Sequence, residues 1–184
     1  MAIELDVGSA DFERRFVALL GAKRESAADV DAAVAAIIED VRARGDEALA
    51  DYSRRFDRVD VDKMGLAIGA AEIEAAIAAC EPNALKALKL AHARVTDYHE
   101  RQKPADVRFT DALGVELGWR WRPIEAVGLY VPGGAASYPS SVVMNAVPAK
   151  VAGCRRLAMV VPTPDGRVNP LVLAAARIAG VDEI

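Results

Sequence analysis

The sequence holds little of what metal and acid–base chemistry is usually built from: its 184 residues include two histidines and two cysteines. Cys80 and Cys154 lie far apart without metal-ligand spacing, which fits a reducing cytosol and excludes a disulfide-built secreted scaffold. His92 and His99 are seven residues apart on one face of an expected helix, about 10 Å along its axis, too far to share one zinc directly. No H-E-x-x-H, paired-cysteine motif, G-x-S-x-G elbow, G-x-G-x-x-G fingerprint or Walker lysine pattern occurs. An excess of positive charge is also missing. The 23 Lys and Arg are set against 27 Asp and Glu, and the net charge of −4 offers no general attraction for nucleic-acid phosphates. The first ten residues carry Glu4 and Asp6 and no apolar run, so neither a signal peptide nor a membrane span is expected there. The cytoplasm is the expected compartment. What is present is a globular composition, 53% hydrophobic and 27% charged, in a chain long enough to bury a core without disulfides or metals.

Composition changes after Lys103. Thirty-five of the charged residues precede that point and 15 follow it, while eight of the nine prolines lie beyond it. Residues 1–104 read as a helical region. Val30, Val34, Ile37, Ile38 and Val41 recur at three- and four-residue steps behind the cap candidate Ser26 and before Gly45. A shorter helix is expected around Asp11 to Leu20, and another after Gly45 with Leu49, Tyr52 and Phe56 as its stripe. The alternation of Val59 with Val61 and of Leu66 with Ile68 suggests one or two short extended pieces. Pro82 suits a first helical position, and Leu85, Leu88, His92, Val95, His99 and Gln102 then predict one long helix ending before Pro104.

Residues 105–184 change period. Val115, Leu117, Trp119 and Trp121 alternate with Glu116, Gly118, Arg120 and Arg122, a β-hairpin arm with Gly114 at its turn. From Ala126 the order is apolar strand (Ala126 to Val131), Gly-rich turn, helix (about Ser140 to Ala152), strand (Leu157 to Val161), Pro-rich loop and helix (Pro170 to Ala179). That order predicts an α/β fold with a parallel sheet and crossover helices. Pro148 predicts a kink or break in the first of these helices. Asn169 is the expected cap of the second, and Gly180 its stop. Val181 to Ile184 look like the opening of a third strand. Two parallel strands leave both edges unpaired, so the sheet is expected to be the front portion of a larger one, or to be completed by association of chains.

Gly128 to Gly134 form the most informative turn, because two glycines after a strand let backbone N–H groups approach a ligand, and ligands of open α/β sheets lie beyond the carboxyl ends of strands. Alone, Pro132-Gly133-Gly134 reads equally well as a tight turn. Tyr130 could stack on an adenine or ribose, or pack as a half-buried strand residue. Ser140 and Ser141 could cap the next helix or donate to a phosphate. Asn145 and Lys150, five residues apart, share no clear helix face. No catalytic and no metal-ligating residue is assigned.

Arg122-Pro123-Ile124-Glu125-Ala126-Val127-Gly128-Leu129-Tyr130-Val131-Pro132-Gly133-Gly134 resembles the histidinol dehydrogenase family. The likeness continues through Tyr138 to Ala146, Pro148 to Gly153, Ala174 to Ala176 and Ala179 to Ile184. It is looser in Gly45-Asp46-Glu47-Ala48-Leu49 and His99-Glu100-Arg101-Gln102. The resemblance implies the N-terminal part of an NAD-dependent enzyme that oxidises L-histidinol through an aldehyde to L-histidine, as a homodimer with a bound zinc. It implies a helical N-terminal region followed by the first half of a Rossmann-like sheet, incomplete at its C-terminus. By this likeness Tyr130 is the NAD-contacting tyrosine, with Pro132, Gly133 and Gly134 as the turn beside it. The zinc ligands and proton-transfer residues of the family match nothing in this chain, which implies that the 184 residues alone are inactive. Two other readings stay open: a sibling dehydrogenase for another small alcohol, and a non-catalytic oligomerisation module.

Overall fold

The computed structural model describes residues 3–133 and 138–184. It forms two compact units, Met1–Tyr52 and Ser53–Ile184. The first holds α1 (Phe12–Arg44) and α2 (Asp46–Tyr52). The two helices expected on either side of Ser26 are one continuous helix of 33 residues. Between Leu20 and Val30 only Gly21 opposes helix, at a cost of about 1 kcal/mol, and good helix formers follow it. Helix α1 stops at Gly45, whose φ of 61° suits glycine and whose N–H donates to the Val41 carbonyl at 2.8 Å. The Arg44 guanidinium then joins the two helices, donating to both Asp40 carboxylate oxygens at 2.7 Å and to Asp51 at 2.8 Å. Arg44 is the main reason that the Asp40 carboxyl titrates at about 2.

The second unit begins with a turn of π-helix, Ser53–Asp57, followed by α3 (Val61–Met64). The extended pieces expected between Phe56 and Ala70 are not formed as strands. Gly65, at φ 81°, closes α3, and Ile68 donates its N–H to the carbonyl of Ile184 at 2.8 Å. Helix α4 (Ala70–Ala78) follows; its start is marked by the Glu72 carboxylate accepting from the Gly69 N–H. Helix α5 (Pro82–Gln102) has the expected bounds, with Pro82 in its first turn and the Glu81 side chain accepting from the Asn83 N–H. Strands β1 (Val107–Thr110) and β2 (Glu116–Trp119) form the antiparallel hairpin around Gly114, which takes φ 83°. Asp111 accepts from the Leu113 and Val115 N–H groups and fixes that turn. Glycine is required at position 118, because a Cβ there would collide with the Val107 carbonyl oxygen.

Strand β3 (Ala126–Tyr130) pairs in parallel with β4 (Arg156–Val160), and α6 (Pro139–Ala152) makes the crossover. Helix α6 runs through Pro148 without the expected break. An interior proline costs about 3 kcal/mol, which burial of Val142, Val143 and Val147 offsets at roughly 1.5–3 kcal/mol each. Ser140 and Ser141 lie in the first turn of α6 and neither caps it; Tyr138 holds the cap position. Helix α7 (Pro170–Ala179) matches its expected bounds, with the Asn169 side chain accepting from the Leu171 N–H at 2.8 Å and Gly180 stopping it at φ 76°. Helices α5, α6 and α7 pack together over the face of the sheet that carries Leu129, Leu157 and Met159. Helix α5, from before the change in composition, thus belongs to the same core as the elements after it.

Glu183 bridges to Ala158 in parallel, so a third strand opens at the end of the chain as expected. Asp182 anchors it, accepting from Lys150 Nζ and from the Leu157 N–H, each at 2.8 Å. These two donors, the ammonium first, hold the Asp182 carboxyl below its ordinary 3.8. A depressed carboxyl stabilises the fold fully above its unfolded value, and that contribution is lost as pH falls through the folded one. Asp182→Asn is therefore expected to lower the thermal midpoint by about 1–2 °C at pH 7, with the difference vanishing on acidification below the folded value. Melting curves from pH 7 to pH 3 check this; an undiminished difference at pH 3 would contradict it.

Candidate functional site at the carboxyl ends of β3 and β4

The period-2 geometry of β3 and β4 sends Leu129 and Met159 into the core and turns Gly128, Tyr130 and Val160 to the opposite face. That face is open: Tyr130 and Val160, partners in register, are each 64% exposed. Parallel sheets are normally covered on both faces, so this face, open among the described residues, is a candidate position for a ligand or further protein. The ladder continues one residue past β3, where the buried Val131 donates its N–H to the Val160 carbonyl at 3.0 Å. Pro132 and Gly133 then leave the sheet as exposed backbone. A Cβ on Gly133 would meet the Pro162 ring at 3.2 Å, so the turn after β3 and the loop after β4 touch because position 133 has no side chain.

Tyr130, Pro132 and Gly133 are therefore brought together at one sheet edge, while Gly134 lies outside the described residues. The edge offers an aromatic ring and two backbone turns, suited to lying against a flat ring and a sugar–phosphate backbone. This much fits a dinucleotide. It lacks the acidic residue that ends the second strand in many dinucleotide-binding sheets, since β4 runs out through Val160, Val161 and Pro162. The sequence marks the loop at Pro162 only as a connection; its part in the site is signalled by nothing except its position after the second strand.

The other candidates stand elsewhere. His92 and His99 are half-buried on α5, His99 with its ring edge-on to Tyr98. Among the described residues no group of three His, Cys, Asp or Glu side chains could hold a metal ion, so these residues do not fit a zinc site. Burial pushes the Cys80 thiol up, and its S–H donates to the Ala76 carbonyl; Cys154 is buried. Asn145 is exposed on α6, and Lys150 is engaged by Asp182. No described helix is long and apolar enough to cross a membrane.

Gly133→Val is expected to push against the Pro162 ring and to destabilise the fold by about 1–3 kcal/mol, the scale of an overpacking cost. Denaturant unfolding beside the unsubstituted protein checks this; equal stability would contradict it.

A family model described as Histidinol dehydrogenase matches residues 21–184. The chain is 62% identical, over all of its 184 residues, to histidinol dehydrogenase of Bradyrhizobium diazoefficiens, and covers 43% of that protein. It is 60% identical to the enzyme of Mesorhizobium japonicum, again across the whole chain and 43% of the relative. The crystal structure of histidinol dehydrogenase from Elizabethkingia anophelis superposes with a TM-score of 0.78 at 31% identity, covering 83% of this chain and 35% of that one.

Proposed function

Since the chain belongs to the histidinol dehydrogenase family and corresponds to the N-terminal portion of its relatives, we propose that it supplies one wall of the NAD site in an enzyme oxidising L-histidinol, through the aldehyde, to L-histidine. The observation that carries this is the exposed Tyr130 at the end of β3, beside a turn held against Pro162 by the bare Gly133 backbone. The Tyr130 ring binds and orients a flat ring of the cofactor, and the Pro132–Gly133 backbone lets the chain of the dinucleotide pass close to the sheet. NAD, when bound, supplies the hydride acceptor for each of the two oxidations.

This chain spans less than half the length of the relatives it matches. The substrate pocket, the zinc and the proton-transfer groups are assigned by this reading to the remainder of the longer protein. The homodimer and a cytoplasmic location follow from the same family reading. The proposal is tested by asking whether the complete gene rescues a histidine auxotroph, and whether its product reduces NAD with L-histidinol. Rescue with histidinol-dependent turnover supports it. A product that reduces NAD only with a different alcohol would overturn the substrate and favour a sibling dehydrogenase.

A further inference from the structure

The loop that brings Pro162 to Gly133 runs from Val161, packed against the core, to the exposed Asp165. Beneath it lies a cavity of about 420 Å³, lined from one side by Val161, Thr163 and Gly166 and from the other by Asp57, Val59 and Met64. Next to these lining residues in the chain, the Arg58 guanidinium grips the Asp165 carboxylate with two parallel bonds, Nε to Oδ1 at 2.6 Å and Nη2 to Oδ2 at 2.9 Å. The partners are 107 residues apart in sequence. They are also the two non-glycine residues with positive φ among those described, 59° at Arg58 and 56° at Asp165. Left-handed backbone is unfavourable for such residues and persists where surrounding structure imposes it. Asp165 sits in the one-turn 3₁₀ helix Pro164–Gly166, directly after Pro162 and Thr163. Gly166, at φ 70°, lets that turn approach the Met64 sulfur, which a Cβ would meet at 3.1 Å.

We infer that the Arg58–Asp165 pair is a positioning device that sets the distance between the Pro162 loop and the Tyr130–Gly133 turn, and through it the affinity for the dinucleotide. The inference rests on the reading of that edge as the NAD site. Each partner shifts the other's titration in the direction of a formed pair: Arg58 is raised and Asp165 lowered, chiefly by their mutual hydrogen bonds. Asp165 is also the first carboxylate after β4 in the sequence, and its commitment to Arg58 leaves the loop's position, not a contact to ribose, as its contribution. The pair is exposed, so its loss costs the fold little and its effect is on loop placement.

The test uses the full-length dehydrogenase that carries this chain, with Asp165→Asn, Arg58→Gln, the double substitution and Tyr130→Ala made in parallel. Asparagine tolerates left-handed backbone, so Asp165→Asn removes charge without adding strain. Each single substitution is expected to raise the KM for NAD about two- to fivefold, with the kcat and the KM for histidinol within about twofold of the parent. The double variant should be no worse than the weaker single, as a shared interaction requires. An unchanged KM for NAD in both single variants, alongside a raised one in Tyr130→Ala, would overturn the positioning role alone. A uniform loss in kcat and both KM values with a lower thermal midpoint would overturn it in favour of a structural role. An unchanged KM for NAD in Tyr130→Ala as well would remove the site reading and the inference together.

Discussion

With Tyr130 in the proposed NAD site, Tyr130→Ala is expected to raise the KM for NAD about tenfold in the full-length enzyme, the scale of losing one ring-stacking contact. Its thermal midpoint should stay close to that of the parent. The two halves of this expectation have one cause. The ring is 64% exposed, so the folded chain gains little from it, and in the proposed site its partner is the cofactor. Tyr130→Phe keeps the ring and should recover most of the affinity, which separates stacking from a contribution of the hydroxyl. Steady-state kinetics at varied NAD and saturating histidinol measure both variants. A Tyr130→Ala enzyme with an unaltered KM for NAD would place the cofactor elsewhere.

The largest loss of stability is expected at the opposite end of the exposure scale. Leu157 is fully buried in β4 and belongs to the one core cluster that also holds Val143 and Val147 of α6 and Ala176 of α7. Helix α7 contributes alanines at 174, 175 and 176 to this core, small side chains that bring it close to its neighbours and cannot themselves reach into a void. Leu157→Ala should therefore cost about 2–5 kcal/mol, lost transfer energy plus an unfilled cavity. Denaturant unfolding of the two proteins checks it, and a loss below about 1 kcal/mol would mean that the sheet–helix contact is not tightly packed. Leu157→Ile, which conserves volume, is expected to cost less than about 1.5 kcal/mol.

The elements bounded by strong local chemistry are legible in the sequence. Pro82 opens α5, Gly114 turns the hairpin, Asn169 and Gly180 frame α7, and each does so through backbone preferences that no tertiary contact has to supply. Sequence and structure part where a local signal competes with context. Ser26 is a good cap residue, yet it sits inside α1 because its neighbours favour helix on both sides. Pro148 is a poor helix residue, yet α6 passes through it because its flanking valines are buried. Helix α4 is absent from the sequence reading, although Ile73 and Ile77 stand four residues apart behind the Glu72–Gly69 cap. The site follows the same division. Tyr130 and the glycine turn are marked by their place after a strand, whereas Arg58 and Asp165 meet only through the fold and carry no motif.

A crystal structure of the full-length dehydrogenase with bound NAD tests the central claim most directly. The account predicts the dinucleotide lying across the carboxyl ends of β3 and β4, with a ring of the cofactor against Tyr130 and its chain passing Gly133 near Pro162. A dinucleotide bound elsewhere, with Tyr130 touching only protein or solvent, would contradict it.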